Sequence, residues 1–207
     1  MSEKAALPWE TLIGTVNRWR SDRVSFTREL AAVRKGATAT TEHYAYPYIL
    51  PYTQGLRKDQ QTALLRLVAM LAEYPDIPVY KSSGQNGVRP TFGRWCYQLT
   101  CALAGKKGGD QPRPGDSGDL VGQRLAYLHT QTLEEAMQSI RRLLSLANSS
   151  KNAPALDIYG LARLALYWGN GLSPQSQETR QQILRDYYSA FIYRANDDAS
   201  TTDPKED

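Results

Sequence analysis

A chain of 207 residues with 41% apolar side chains can bury one full core, or one core with a small companion. No apolar run approaches the roughly 20 residues needed to span a bilayer, and MSEKAALPWE lacks the apolar stretch of a signal peptide, so a cytoplasmic protein with no membrane partner is expected. The net charge of +4 is unevenly spread: the last eleven residues hold five acids against Lys205, leaving 24 basic and 16 acidic residues, a net +8, in the first 196. A basic body with an acidic, Ser/Thr-containing tail suits a polyanion partner or a basic surface on another protein.

In chain order the pattern is helical nearly throughout. Pro8 to Arg20 places Leu12, Ile13, Val16 and Trp19 on one side, with Pro8 near the first turn. Asp22 to Arg34 predicts a short second helix with Val24, Leu30 and Val33, ending at Gly36. YAYPYILPY (Tyr44 to Tyr52) is too interrupted by proline for a long helix and reads as an apolar connector packed on the core. Asp59 to Tyr74 aligns Leu64, Leu67, Val68 and Leu71 at helical spacing. Thr91 to Leu103 is a further helix, with Trp95 and Leu99 turned away from Arg94.

The segment 104–118, with five glycines and two prolines, reads as a loop or joint. Helices follow at Asp119 to His129, Thr132 to Ala147, Leu156 to Trp168 and Gln175 to Ala195. The Thr132 helix sets Arg141 on the shoulder of its apolar stripe and Arg142 on the solvent side. The last helix groups Ile183, Leu184, Tyr187, Tyr188, Phe191 and Ile192 on one face. No alternating strand pattern appears, so the expected class is all-α. The expected organisation is an N-terminal helical bundle (1–103), the joint (104–118), a C-terminal bundle (119–195) and a disordered acidic tail (196–207).

Enzyme chemistry is poorly supplied. His43 and His129 lie far apart and neither sits in a nucleophile or metal motif; His129 reads as a complement to its helix C-terminus. Glu134 and Glu135 suit a helix N-terminus. Cys96 and Cys101, five apart on a helix, point about 140° away from each other and read as free thiols. There is no Walker loop and no dinucleotide fingerprint, so no cofactor is expected. Trp19, Trp95, Tyr187 and Tyr188 read as core, whereas Tyr44, Tyr46, Tyr48 and Tyr52 are candidates for a partner surface.

The arginines differ in kind, because guanidinium stays charged and forks hydrogen bonds to phosphate. Arg18, Arg20, Arg23, Arg28 and Arg34 populate the first two helices, with Arg57 and Lys58 just ahead of the third. Arg94, Arg124, Arg141 and Arg142 lie on later helices, and few acids stand three or four residues from Arg94, Arg124 or Arg142. As a group they read as a phosphate-tracking surface. Arg163, alone in an apolar helix, is expected to pair with a buried carboxylate such as Asp186 or Asp157.

In order along the chain stand an N-terminal helix ending in Arg18–Trp19, DQQTALLRLV from Asp59, TFGRW (Thr91 to Trp95), QRLAYL (Gln123 to Leu128), IRRLLSLA (Ile140 to Ala147) and ARLALYWG (Ala162 to Gly169). This series resembles the small subunit (CasB family) of the type I-E CRISPR surveillance complex, Cascade. The resemblance implies two helical bundles, no catalytic activity, and two copies lining the ribonucleoprotein beside other subunits of the complex. It also implies a basic face that holds nucleic-acid backbone, notably the displaced DNA strand, and so stabilises the R-loop while guide pairing reads sequence. Basic positions matching the family motifs are Arg28, Arg94, Arg124, Arg141, Arg142 and Arg163. Two departures stand out: Thr27 replaces one of three arginines common in the second helix, and Asn170–Gly171 follows Trp168–Gly169 where some relatives carry basic residues.

The nucleic-acid-binding residues expected are therefore Arg23, Arg28, Arg57, Lys58, Arg94, Lys106, Lys107, Arg124, Arg141 and Arg142, the two lysines as flexible strand contacts. The alternative is a helical scaffold that docks acidic surfaces of partner proteins.

Overall fold

The computed structural model describes residues 6–81, 89–104 and 119–200, with side chains to residue 190. Among these residues nine α-helices and no sheet are found, which makes the fold all-α. They are α1 (Pro8–Ser21), α2 (Thr27–Arg34), α3 (Tyr46–Ile49), α4 (Lys58–Glu73), α5 (Phe92–Leu103), α6 (Leu120–Ala126), α7 (Leu133–Ser149), α8 (Ile158–Leu166) and α9 (Pro174–Ser200). Residues 105–118, with the expected contacts Lys106 and Lys107, and the end of the acidic tail (201–207) lie outside the described residues.

The central element is α4. Every residue from Ala63 to Ala72 is buried, so this helix meets neighbours on all sides. It packs against α1, α2, α7 and α8, while α5 packs against α6 and α9. Gly93 permits the close approach of α5 to α9, because a Cβ there would strike the Ile183 carbonyl. A buried cluster runs from Leu12 and Trp19 through Leu67 and Trp95 to Ile140, Trp168 and Tyr187. At roughly 1.5–3 kcal/mol for each large apolar side chain buried, this cluster is the principal force holding the helices together.

Local chemistry sets the helix starts. Thr132 and Glu135 form a reciprocal capping box at α7, with Glu135 Oε2 accepting from the Thr132 N–H at 2.9 Å. Asp119 and Asp157 cap α6 and α8, accepting from the Gly122 and Tyr159 N–H groups at 2.8 and 3.1 Å. Both cysteines are free; Cys96 is buried, and burial pushes its thiol pKa well up, which keeps it an inert thiol.

Four sequence expectations are corrected. The second helix begins at Thr27, not Asp22, because Asp22 Oδ1 accepts from the Ser25 N–H and turns the chain. Val24 in that turn is 91% exposed, and Phe26 packs beside Trp19 in its place. The eighth helix is shorter than Leu156 to Trp168: Leu156 instead forms an isolated parallel bridge with Val79. Tyr188 is 42% exposed, set edge-on to the buried Tyr187. The YAYPYILPY connector contains one helical turn, α3, flanked by 3-10 turns; Tyr46, Tyr48 and Tyr52 lie against the core and Tyr44 is exposed.

Candidate nucleic-acid interface

The structure divides the arginines into three groups that composition alone cannot separate. The first group donates to groups within the fold; Arg20, Arg66 and Arg180 are buried, and Arg34 is exposed apart from its one internal hydrogen bond. Arg20 donates from Nη2 to the carbonyls of Tyr74 and Ile77, both at 3.0 Å, just past the end of α4. Burial lowers its pKa to about 10, so it stays charged at neutral pH. Arg34 Nε donates to the Ala72 carbonyl at 2.9 Å. A helix leaves its last four carbonyls without intrahelical donors, and these two arginines serve the C-terminal end of α4. Arg180 does the same for two chain turns: it donates to the carbonyls of His129, Gln131, Trp168 and Gly169 and stacks 4.8 Å over the Trp168 ring. Arg66 is only 4% exposed. It donates from Nη1 to the Gly36 carbonyl and Glu42 Oε2, both at 2.7 Å, and through Nε and Nη2 to Glu134. Sequence reasoning missed Arg66 and Arg180 and placed Arg20 among the surface arginines; Arg34, placed there too, is exposed. The available signal was a cation standing alone in an apolar run, as in TALLRLVAML.

The second group is partly exposed and paired with carboxylates. Arg23 meets Asp76 at 2.5 Å, Arg57 meets Asp59 at 3.1 Å, and Arg141 meets Glu73 at 2.7 Å. All three were expected contacts, and each enters a phosphate interaction only by exchanging a carboxylate for it. Exposed pairs of this kind are worth about 0–1 kcal/mol, so the exchange is inexpensive.

The third group is Arg28 on α2, Arg94 on α5, Arg124 on α6 and Arg142 on α7. All four are exposed and have no carboxylate partner among the described residues. Burial on the opposite side of each helix fixes this outward direction. Leu30 and Val33 turn Arg28 out, Trp95 and Leu99 turn Arg94 out, Val121 and Leu125 turn Arg124 out, and Leu143 and Leu144 turn Arg142 out. Lys58, at the first position of α4, is also exposed.

Arg163 departs from its expected role. It is 55% exposed, and its nearest carboxylate is Glu10 at 4.0 Å, not Asp186 or Asp157. Asp157 is taken by Arg89 at 2.8 Å, and Asp186 accepts from Gln182. Arg163 instead lines a cleft of about 640 Å³ between the start of α5, α8 and α9, together with Arg89, Asp157 and Asp186. Two cations and two carboxylates leave that cleft electrically balanced. His129 sits in the last turn of the 3-10 helix Leu128–Thr130 that follows α6, with Nδ1 buried and unpartnered among the described residues. The His129 carbonyl itself accepts from Arg180 Nη1 at 3.1 Å. Among the described residues no group of three His, Cys, Asp or Glu side chains is placed to hold a metal, and no helix is long and apolar enough to cross a membrane.

These features define an all-α protein that uses some arginines to close its own carbonyls and presents others, unneutralised, on its surface. A family model for CRISPR-associated protein Cse2 matches residues 29–188, and the chain belongs to that family. Its fold is similar to the crystal structure of a Cse2-family CRISPR-associated protein from Thermus thermophilus, with 18% identity and a TM-score of 0.59 over 89% of this chain and 99% of that one. It is also similar to CasB from Thermus thermophilus, with 17% identity and a TM-score of 0.57 over the same shares. No curated protein matches it by sequence.

Proposed function

We propose that the chain is a non-catalytic subunit of a CRISPR ribonucleoprotein that holds nucleic-acid backbone and stabilises the displaced DNA strand of the R-loop. The carrying observation is the set Arg28, Arg94, Arg124 and Arg142: exposed guanidinium groups with no carboxylate partner among the described residues. An unneutralised cation gains more from a phosphate than a paired one, because no ion pair has to break. Arg23, Arg57, Lys58 and Arg141 extend this set, and Lys106 and Lys107, outside the described residues, are proposed as further strand contacts. Holding one separated strand opposes re-annealing, and the R-loop shifts by the affinity difference between open and closed DNA. The same reading implies a cytoplasmic protein, other subunits of the complex as partners, and a second copy of this chain in the assembly.

A salt titration with labelled DNA tests this. Each phosphate contact on a single strand contributes about 0.7 to the slope of log affinity against log salt. The double variant Arg28→Glu and Arg142→Glu is therefore expected to flatten the slope by roughly 1.4 and to melt like wild type, since both side chains are exposed. Unchanged affinity and slope in a folded double variant would remove these two residues from the interface. The scaffold alternative, a basic face that docks acidic surfaces of partner proteins, draws on the same exposed arginines. It predicts capture of partner subunits that survives nuclease treatment, with no affinity for free strands.

A further inference from the structure

We propose that Tyr127 is a base-stacking residue, and that with Arg124 it forms a one-nucleotide site specific for unpaired strands. The inference rests on the nucleic-acid reading above and adds to it a residue and a preference for single strands over duplex.

The site follows from how α6 is fixed. Val121, Leu125 and Leu128 are at most 1% exposed, so the inner side of this segment is locked into the core. The outer side then carries Leu120, 55% exposed, Arg124, and Tyr127, 73% exposed. These positions are four and three residues apart, which stacks them on one helical face. Tyr127 is the C-cap of α6, and its carbonyl accepts from the Thr130 N–H at 3.1 Å and the Thr130 hydroxyl at 2.8 Å. The backbone is therefore held in place while the ring faces water.

Of the other exposed tyrosines, Tyr167 is 43% exposed and lines the cleft that Asp157 and Asp186 share with Arg163, and two are already engaged. The Tyr44 ring carries Lys35 Nζ at 4.0 Å and lies 4.1 Å from the His43 ring. Tyr188 packs edge-on to Tyr187 at 5.4 Å. Tyr127 has no ring or cation contact among the described residues.

Charge identifies the occupant. The helix carries no acid, and the one beside it, Asp119, is fully buried and bonded inward. A cation, an aromatic face and no accessible carboxylate among the described residues of this segment complement an anion that carries its own ring, which is a nucleotide. Residues three apart on a helix lie about 5–6 Å apart at Cβ. That spacing lets a base lie on the Tyr127 ring while its own phosphate meets Arg124. One turn of helix with a single ring is too small for the core of a protein interface of about 800 Å² per partner. A base within a duplex is stacked on both faces and has none free for the ring, so the site selects single strands.

The test compares full-length wild type, Tyr127→Ala, Tyr127→Phe and Arg124→Ala on the same oligonucleotide as single strand and as duplex, across a salt series. Tyr127→Ala is expected to weaken single-strand binding roughly 5- to 150-fold, leaving duplex affinity and the salt slope unchanged. Tyr127→Phe should retain binding, because the ring and not the hydroxyl stacks. Arg124→Ala should lower the slope by about 0.7 for one lost phosphate contact. If Tyr127→Ala matches wild type while Arg28 and Arg142 variants lose affinity, the stacking site is wrong and the phosphate surface stands. An equal loss on both strand forms would also overturn the proposal. If wild type binds neither form at low salt, both readings fall.

Discussion

Arg66→Met is expected to destabilise the fold by about 3–5 kcal/mol, the usual loss when one partner of a buried ion pair is removed. For a domain of this size that corresponds to a fall in Tm of roughly 6–20 °C. The reason is geometric. Glu42 and Glu134 both converge on this one guanidinium, and the Gly36 carbonyl takes a further N–H. Glu134 is 48% exposed and can turn to water, but Glu42 is only 18% exposed and keeps its charge in a poorly solvated place. Methionine fills the stem's volume and supplies no donor. Adding Glu42→Gln should recover part of the loss, because it removes the stranded charge. Arg28→Met, by contrast, should melt within about 1 °C of wild type, as expected of an exposed residue without such a feature.

Acid distinguishes this explanation from simple loss of packing. Burial pushes the Glu42 carboxyl up, but hydrogen bonds from Arg66 and Tyr46 and the Arg66 charge outweigh it and hold the group below its ordinary value of 4.5. A carboxyl with a lowered folded-state pKa contributes stability that is present above the unfolded value and drains as pH falls through the folded one. Without Arg66 its strongest support is gone, and burial drives the carboxyl upward, so protonation relieves the variant. The gap in Tm between wild type and Arg66→Met should therefore be widest near pH 7 and narrow below 4.5. Scanning calorimetry across that range checks it; a gap of constant size would show that the carboxylates do not carry the effect.

Arg66 also shows where the sequence was legible and where it was not. Apolar spacing alone located α1, α4, α5 and α7, because each buries one stripe or more against its neighbours and periodicity records that directly. It also set Arg141 at the shoulder and Arg142 in solvent, as found. A lone cation within an apolar helix, however, gave the same signal at Arg66 and at Arg163 with opposite outcomes. Arg66 sits on a helix surrounded on all sides, and its carboxylates come from 24 and 68 residues away. Arg163 sits on a nine-residue helix with one side open to a cleft, and it stays exposed. Which faces of a helix are covered is tertiary information, so the burial of Arg20 and Arg180 was equally invisible. The phosphate surface was legible only in part. The absence of acids three or four residues away marked Arg94, Arg124 and Arg142, but the pairing of Arg23 with Asp76 and of Arg141 with Glu73 spans 53 and 68 residues.

A second internal polar site joins α5, α6 and α9, and it should respond to substitution as one unit. Asp119 is fully buried. Its carboxylate accepts from the Tyr187 hydroxyl at 2.8 Å, the Gly122 N–H at 2.8 Å and the Thr100 hydroxyl at 3.4 Å. Burial, together with the Asp119 hydrogen bond and charge, pushes the Tyr187 phenol well above its ordinary value, so it remains a proton donor at any working pH. Tyr187→Phe removes that donor and is expected to cost about 1.5–3 kcal/mol, the range for a hydrogen bond to a charged group, or roughly 3–12 °C in Tm. Asp119→Ala is expected to cost more, because it also uncaps α6 and strands the Tyr187 hydroxyl in the core. The double variant strands neither partner. Its loss should fall short of the sum of the two single losses by about 0.5–3 kcal/mol. Urea melts of the four proteins close this cycle, and strict additivity would refute the coupling. Because α6 also carries Arg124 and Tyr127 on its outer side, the singly substituted proteins should lose single-strand affinity before they unfold. The buried carboxylate holds in place the short helix from which those two side chains reach solvent.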